Sequence, residues 1–374
     1  MAKGACIILV VLGHTVEWYG RAFLGREPEL WFVVLYGMRP LRMPLFFMIS
    51  GILAARTIHK PFRDLWSKTG GLYILYCLWT AVYCLKLALP GGRDGLPYPS
   101  LAQIAGAMAL PALLWYIWAL PAFYTLAWCL ERWFGRNSVY ALVPMLGLAI
   151  AAPAIGRAAA HLLGTPLFMI QSQSVLGNLI WFYLGLKGRA FILTLADRST
   201  PPRLAIATVL GIAAMGLMRF DHDGELVILA APFMLWASLQ WLGKVRDDTG
   251  ALRPLAVVGR RTLPVYVLHT FVLTGLTPAV RAVGVADRVP MASPVLQFAV
   301  PLLVTFLIVP ACIFAGRCFE RVGLGFLTAP APLPSRARHK SEAPAPIVDS
   351  STLASAPSPL SSELAEHPLA RGDR

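Results

Sequence analysis

Two titratable side chains stand inside the first apolar run of the chain, MAKGACIILVVLGHTVEWYG: His14 and, three residues on, Glu17. An imidazole titrates near neutrality and can take a proton from a hydroxyl. On a helix, a carboxylate three positions away shares its face and can hold the other ring N–H, fixing the tautomer and strengthening the base. That pairing suits general-base chemistry, or nucleophilic chemistry in which the ring itself takes up a group. The same residues also fit a plainer role, with His14 making a polar contact between helices and Glu17 reaching water at the outer face. A charge at the centre of a bilayer costs at least ~2.5 kcal/mol, so an ionisable residue there points first to function.

The elements that must position these groups follow from composition. The 374 residues are 57% hydrophobic and 14% charged, against roughly 45–50% and about 25% in a soluble domain. The apolar residues gather into recurring stretches of about 20, the length that crosses a bilayer as helix. We expect an all-α integral membrane protein of about ten transmembrane helices, near 3–20, 42–56, 70–90, 111–131, 138–156, 166–186, 203–219, 225–243, 254–276 and 294–316. The net charge of +14 sits in alternate loops, as around Arg56, Lys60, Arg63 and Lys68, and again around Lys187, Arg189, Arg198 and Arg203. That is the positive-inside pattern, with both termini cytoplasmic, and it makes nucleic acid an unnecessary partner. LWFVVLYGM at 30–38 reads either as a re-entrant or interfacial helix or as an extension of the second span. The first run contains His14, lacks a small-x-small cleavage site and precedes many further spans, so it reads as a retained helix and not a signal peptide. Eleven residues of helix put His14 roughly 16 Å from Lys3, near mid-membrane.

Residues 1–328 form the expected transmembrane domain; from 329 the chain turns rich in Pro, Ala and Ser and reads as a disordered cytoplasmic tail. The six cysteines read as small apolar residues, and Asp221, His222 and Asp223 lie on a short outer turn without partner ligands, so no metal is expected. The amides Gln171, Gln173 and Asn178 either line an acceptor cavity or bond between helices. Trp115, Tyr116 and Trp118 either stack on a sugar ring or form an interfacial belt, and Ser50 and Gly51 let helices approach closely.

Taken in order, KGACIILVVLGHT, RMPLFFMISGILAAR, LWYIWALPAFYTL and GRRTLPVYVLHTF resemble the membrane acyltransferase type 3 family, over most of residues 2–316. That family includes enzymes that O-acetylate bacterial surface polysaccharides, periplasmic glucans and secondary metabolites. The resemblance implies a cytoplasmic acyl-CoA donor, with acetyl-CoA expected, and acceptor hydroxyls often on the outer side of a bacterial inner or plasma membrane. Its basic residue followed by ten positions and a histidine falls on Lys3 and His14, and its late Tyr-x-x-His pattern on Tyr266 and His269. Its Arg-x-x-Arg pair matches Arg39 and Arg42 literally, but these precede the Phe-Phe-x-x-Ser-Gly segment and fall on the outer side. Donor binding is therefore expected at Arg63 and Lys68, with Lys3.

Acyl transfer from a thioester needs a base, charge stabilisation for the tetrahedral oxyanion and anchorage for the CoA phosphates. His14 can be the base, oriented by Glu17, or an acyl carrier. Arg42 or His269 can stabilise the oxyanion or orient the acceptor, with Arg39, Trp115 and Tyr116 near the substrate. Lys3, Arg63 and Lys68 carry charge suited to phosphates. The expected activity is O-acylation of a glycan or small-molecule hydroxyl. The alternative is a polytopic transporter or lipid-linked glycan flippase with a His/Glu proton relay.

Overall fold

The computed structural model describes residues 1–26, 28–88, 100–112, 114–163, 171–221, 224–246, 253–284 and 289–330. Among them no strand occurs, and the elements are α1 (Ala2–Tyr19), continued by a π-helical turn (Gly20–Leu24), α2 (Glu29–Gly37), α3 (Arg39–Ala54) and α4 (Phe62–Ala88). There follow α5 (Leu101–Ala109), α6 (Trp115–Phe134), α7 (Leu142–Leu163), α8 (Ser172–Lys187), α9 (Arg189–Asp197), α10 (Pro201–Leu217), α11 (Val227–Arg246), α12 (Arg253–Arg260), α13 (Thr262–Val283) and α14 (Pro294–Arg321). Except for Pro330 and Ala329, the expected tail lies outside the described residues.

Each of the ten stretches expected to cross the membrane is largely helical where it is described, but length and apolarity together single out seven crossing candidates among the described residues. The count reaches eight if α8 and α9, bent by 79° about Gly188, make one span. Residues Trp115–His161 form one 47-residue helical run that holds two expected spans, and α4, which carries the expected span at 70–90, is not among the seven. The expected span at 254–276 is corrected: Arg260 and Arg261 interrupt it, and only Thr262–Val280 is a crossing candidate. Ahead of the break, α12 packs against α1 as a separate short helix. The 30–38 stretch is the extension of the second span, since α2 and α3 run together as Glu29–Ala54.

The spanning helices keep apolar side chains on their outer faces, among them Leu303, Phe306, Leu307 and Phe314 of α14 and Ile206, Val209 and Ile212 of α10. Such a surface is stable only against lipid. The chain is a multi-pass membrane protein. Helices run through Pro121, Pro153, Pro301 and Pro310, because in a bundle neighbouring groups can satisfy the carbonyls that proline frees.

The core is organised around α3, which packs on α1, α2, α8 and α11. Lipid tails are as apolar as leucine, so helices associate by close packing of small residues. Here Gly51 of α3 lies on the Phe182 carbonyl of α8, and Gly185 of α8 lies on the Met48 carbonyl of α3. No Cβ fits at either position without moving backbone. Around that crossing Phe47, Met48, Ile117, Phe182 and Tyr183 are almost wholly buried.

Gly185→Val is expected to lower the thermal midpoint of the detergent-solubilised protein, by the equivalent of about 3 kcal/mol, the upper range for overpacking. Gly147→Ala, where an added Cβ meets nothing within 4 Å, leaves it unchanged; equal midpoints for both variants would contradict this crossing.

Candidate active site

His14 and His269 reach one another because α1 and α13 run side by side in register. Trp18 Nε1 donates to Thr277 Oγ1 at 3.0 Å, and one turn back on α1 the rings of His14 and His269 lie 5.1 Å apart, tilted by 38°. His14 Nδ1 stands 3.2 Å from Glu17 Oε2, and the other Glu17 oxygen accepts from Arg21 at 2.7 Å. An ionised carboxylate only accepts, so this contact places the His14 proton on Nδ1 and leaves Nε2 with its lone pair. His269 is 2% exposed. Its Nδ1 donates to the Val265 carbonyl at 2.9 Å, and its Nε2 is buried without a partner. Both imidazoles thus share one tautomer, with the proton tied back and a bare lone pair on Nε2. In that state His269 offers a lone pair and no N–H, so it is fitted to accept from an acceptor hydroxyl; oxyanion stabilisation falls to other groups.

Those groups come from α3. Arg39 and Arg42, one turn apart on its first turns, join the two histidines, Glu17 and Trp115 in lining a cavity of about 680 Å³, within the usual range for ligand pockets. Arg42 lies over Gly13: a methyl there would stand 2.7 Å from its Nη1. Arg39 sits 5.8 Å from the centre of the Tyr36 ring and beside Gly224. Among the described residues neither guanidinium has a carboxylate partner. Two unpaired cations in a spanning bundle make a site for an anion or for charge that develops during reaction.

The remaining expected residues separate. Trp115 lines the cavity, but its neighbour Tyr116 is corrected to a core position: it is 6% exposed, packs edge-on against Phe46 and Tyr266, and lies 3.3 Å from Ser50 Oγ. Trp118 donates from Nε1 to the Ala109 carbonyl at 3.0 Å and is not part of the lining. Lys3 lies in the first turn of α1, its ammonium 5.5 Å from the Phe46 ring. Arg63 is exposed in the first turn of α4, away from the cavity lining, and the Lys68 side chain lies outside the described residues. Asp221 organises its turn, with Oδ1 accepting from Leu226 N at 3.2 Å and its carbonyl from Tyr36 at 2.5 Å; His222 and Asp223 lie outside the described residues.

Sequence reasoning missed Gly13, Tyr83 and Thr270. Gly13 stood visible beside His14, but its use as a seat for Arg42 needs α3. Tyr83 hydrogen-bonds Thr270 at the cavity edge and carries no sequence signal for it.

A family model described as an acyltransferase domain matches residues 1–316. The chain belongs to the acyltransferase type 3 family. Inner membrane protein YcfT of Escherichia coli (strain K12) is similar, 25% identical over 357 residues that cover 89% of this chain and 95% of that protein. No solved structure matches the chain. Tyr266, His269 and His14, which the resemblance in sequence singled out, all line one cavity.

Gly13→Ala tests the seat of Arg42. The added methyl meets only the end of a flexible side chain, so the fold is retained while the guanidinium is displaced. Acyl transfer should fall by tenfold or more, since loss of one oxyanion donor costs about 10²–10³ in kcat; unchanged activity would remove Arg42 from the site.

Proposed function

We propose that the chain is an integral membrane O-acyltransferase that moves an acetyl or other short acyl group from cytoplasmic acyl-CoA to a hydroxyl of a glycan or small molecule, in a bacterial inner or plasma membrane. The observation that carries the reading is a pair of imidazoles with bare Nε2 lone pairs lining one cavity with two guanidiniums that have no carboxylate partner among the described residues. Family membership supports the reaction class.

The acceptor oxygen attacks the thioester carbonyl carbon as its proton passes to His14 Nε2. Glu17 holds the opposite N–H and stabilises the imidazolium, a contribution typically worth ~10²–10⁴-fold for the base alone. Negative charge gathering on the carbonyl oxygen faces Arg42, with Arg39 beside it. The C–S bond then breaks, and the thiolate of CoA takes the proton back from His14, giving an ester and free CoA. In the covalent variant the ring nitrogen attacks first and the acyl group passes to the hydroxyl in a second step. The tied-back Nδ1 proton of His14 favours direct transfer, and the Nε2 lone pair of His269 can accept from a second hydroxyl of the acceptor and orient it.

The donor is taken to approach from the Lys3 end, where Lys3, Arg63 and Lys68 bring charge for phosphates. A narrow apolar space of about 20 Å³, lined among others by Ile7, Val10, Met43, Phe46, Tyr266 and also Tyr116, which faces it from the core, lies along α1 between Lys3 and His14. Widened, it is a route for the pantetheine arm.

The test is stoichiometry. In proteoliposomes given acetyl-CoA and hydroxyl acceptors, one free thiol should appear per ester formed, with no response to a protonophore. Absence of thiol release across a panel of acyl-CoAs, together with solute movement driven by a proton gradient, would overturn the reading in favour of a transporter or flippase with a His14–Glu17 relay.

A further inference from the structure

Behind the histidine cavity, Arg39, Met43 and Trp115 also border a side pocket of about 90 Å³, whose far wall includes Gln173, Asn178 and Trp181 of α8. Asn178 is 9% exposed. Its Nδ2 donates to the Ser174 carbonyl at 2.7 Å, and its Oδ1 is buried with no partner. That bond fixes the amide orientation, because a turned amide would set Oδ1 against the Ser174 oxygen. A buried carbonyl oxygen without a donor is costly, and in a native structure it asks for an explanation.

The pocket therefore makes two demands on a ligand: a donor for Asn178 Oδ1 and an acceptor for the guanidinium of Arg39. A phosphate or carboxylate answers Arg39 and repels Oδ1. A simple ammonium does the reverse. A hydroxyl both donates and accepts, and answers the pair. The indoles of Trp115 and Trp181 add aromatic walls of the kind on which the C–H face of a sugar packs. At about 90 Å³ the space takes one hydroxyl-bearing arm, with the body of the acceptor in the larger cavity past Trp115.

We propose that this side pocket is an acceptor subsite in which Asn178 Oδ1 and Arg39 seat one hydroxyl of the acceptor while another hydroxyl of the same molecule reaches His14. The proposal rests on the acyl-transfer reading and adds to it the residues that determine which hydroxyl pattern is accepted. The amide oxygen then acts through binding, and discrimination arises because an acceptor lacking that hydroxyl leaves buried polar atoms unpaired.

Two variants examine it. Asn178→Leu keeps the side-chain size and removes Oδ1. Gly177→Leu fills the pocket from a position where the first added carbon meets only Ala152 Cβ, at 4.0 Å. With the full chain in nanodiscs, acetyl-CoA as donor, and free hexoses with their monodeoxy analogues as probes, wild type should lose transfer to one analogue. In both variants the acceptor KM should rise about tenfold while the KM for acetyl-CoA stays put, and Asn178→Leu should treat that hexose and its deoxy analogue alike. Unchanged acceptor KM and intact discrimination in folded variants would overturn the subsite while acyl transfer stands. Failure of wild type to consume acetyl-CoA with any hydroxyl would overturn the reading beneath it as well.

Discussion

Charge without a counterion inside a bilayer-spanning bundle is the constraint on which this structure turns. Arg39 and Arg42 line a cavity without a carboxylate partner among the described residues, and the one acid among the residues that line it, Glu17, is engaged by His14 and Arg21. Folding alone would favour an apolar cavity or a neutralised one. Retaining two free guanidiniums makes sense where negative charge arrives with a substrate or develops in a transition state, and a preorganised low-dielectric site gives such charge its greatest stabilisation.

Holding the five groups in place falls to three helices. α1 carries His14 and Glu17, α13 carries His269, and α3 carries both arginines. The crossing of α3 with α8 at Gly51 and Gly185 admits no side chain, so the position of α3 along its axis is set by backbone contact. α1 is held on its other flank by α12, where Gly4 lies on the Leu255 carbonyl. Small residues thus fix the helices, and the fixed helices decide that Arg42 lies over Gly13 beside the imidazole.

Local features of this arrangement were legible in the sequence. The His14–Glu17 contact follows from i,i+3 spacing, and the membrane character follows from the length and composition of the apolar runs. His269 was reached through the family pattern, not through spacing. What could not be read was rotational phase. Trp115 and Tyr116 are adjacent and of similar chemistry, yet about 100° of helical turn puts one in the cavity and the other in the core. The break at Arg261 illustrates a second limit, since an apolar stretch with two arginines inside reads as one span until α12 is seen to pack separately on α1. The arginine pair was reached through the family's Arg-x-x-Arg pattern and placed on the outer side, but nothing in the 27 residues between them states that Arg42 lands next to His14.

The most direct measurement is the single-turnover rate of CoA release from acetyl-CoA by wild type, His14→Ala, Glu17→Gln and the double variant, each verified as folded by size exclusion. The account predicts a loss of at least about 10²-fold for His14→Ala, a smaller loss for Glu17→Gln, and no further loss when the two are combined, because Glu17 acts through His14. A His14→Ala protein that releases CoA at the wild-type rate would contradict it.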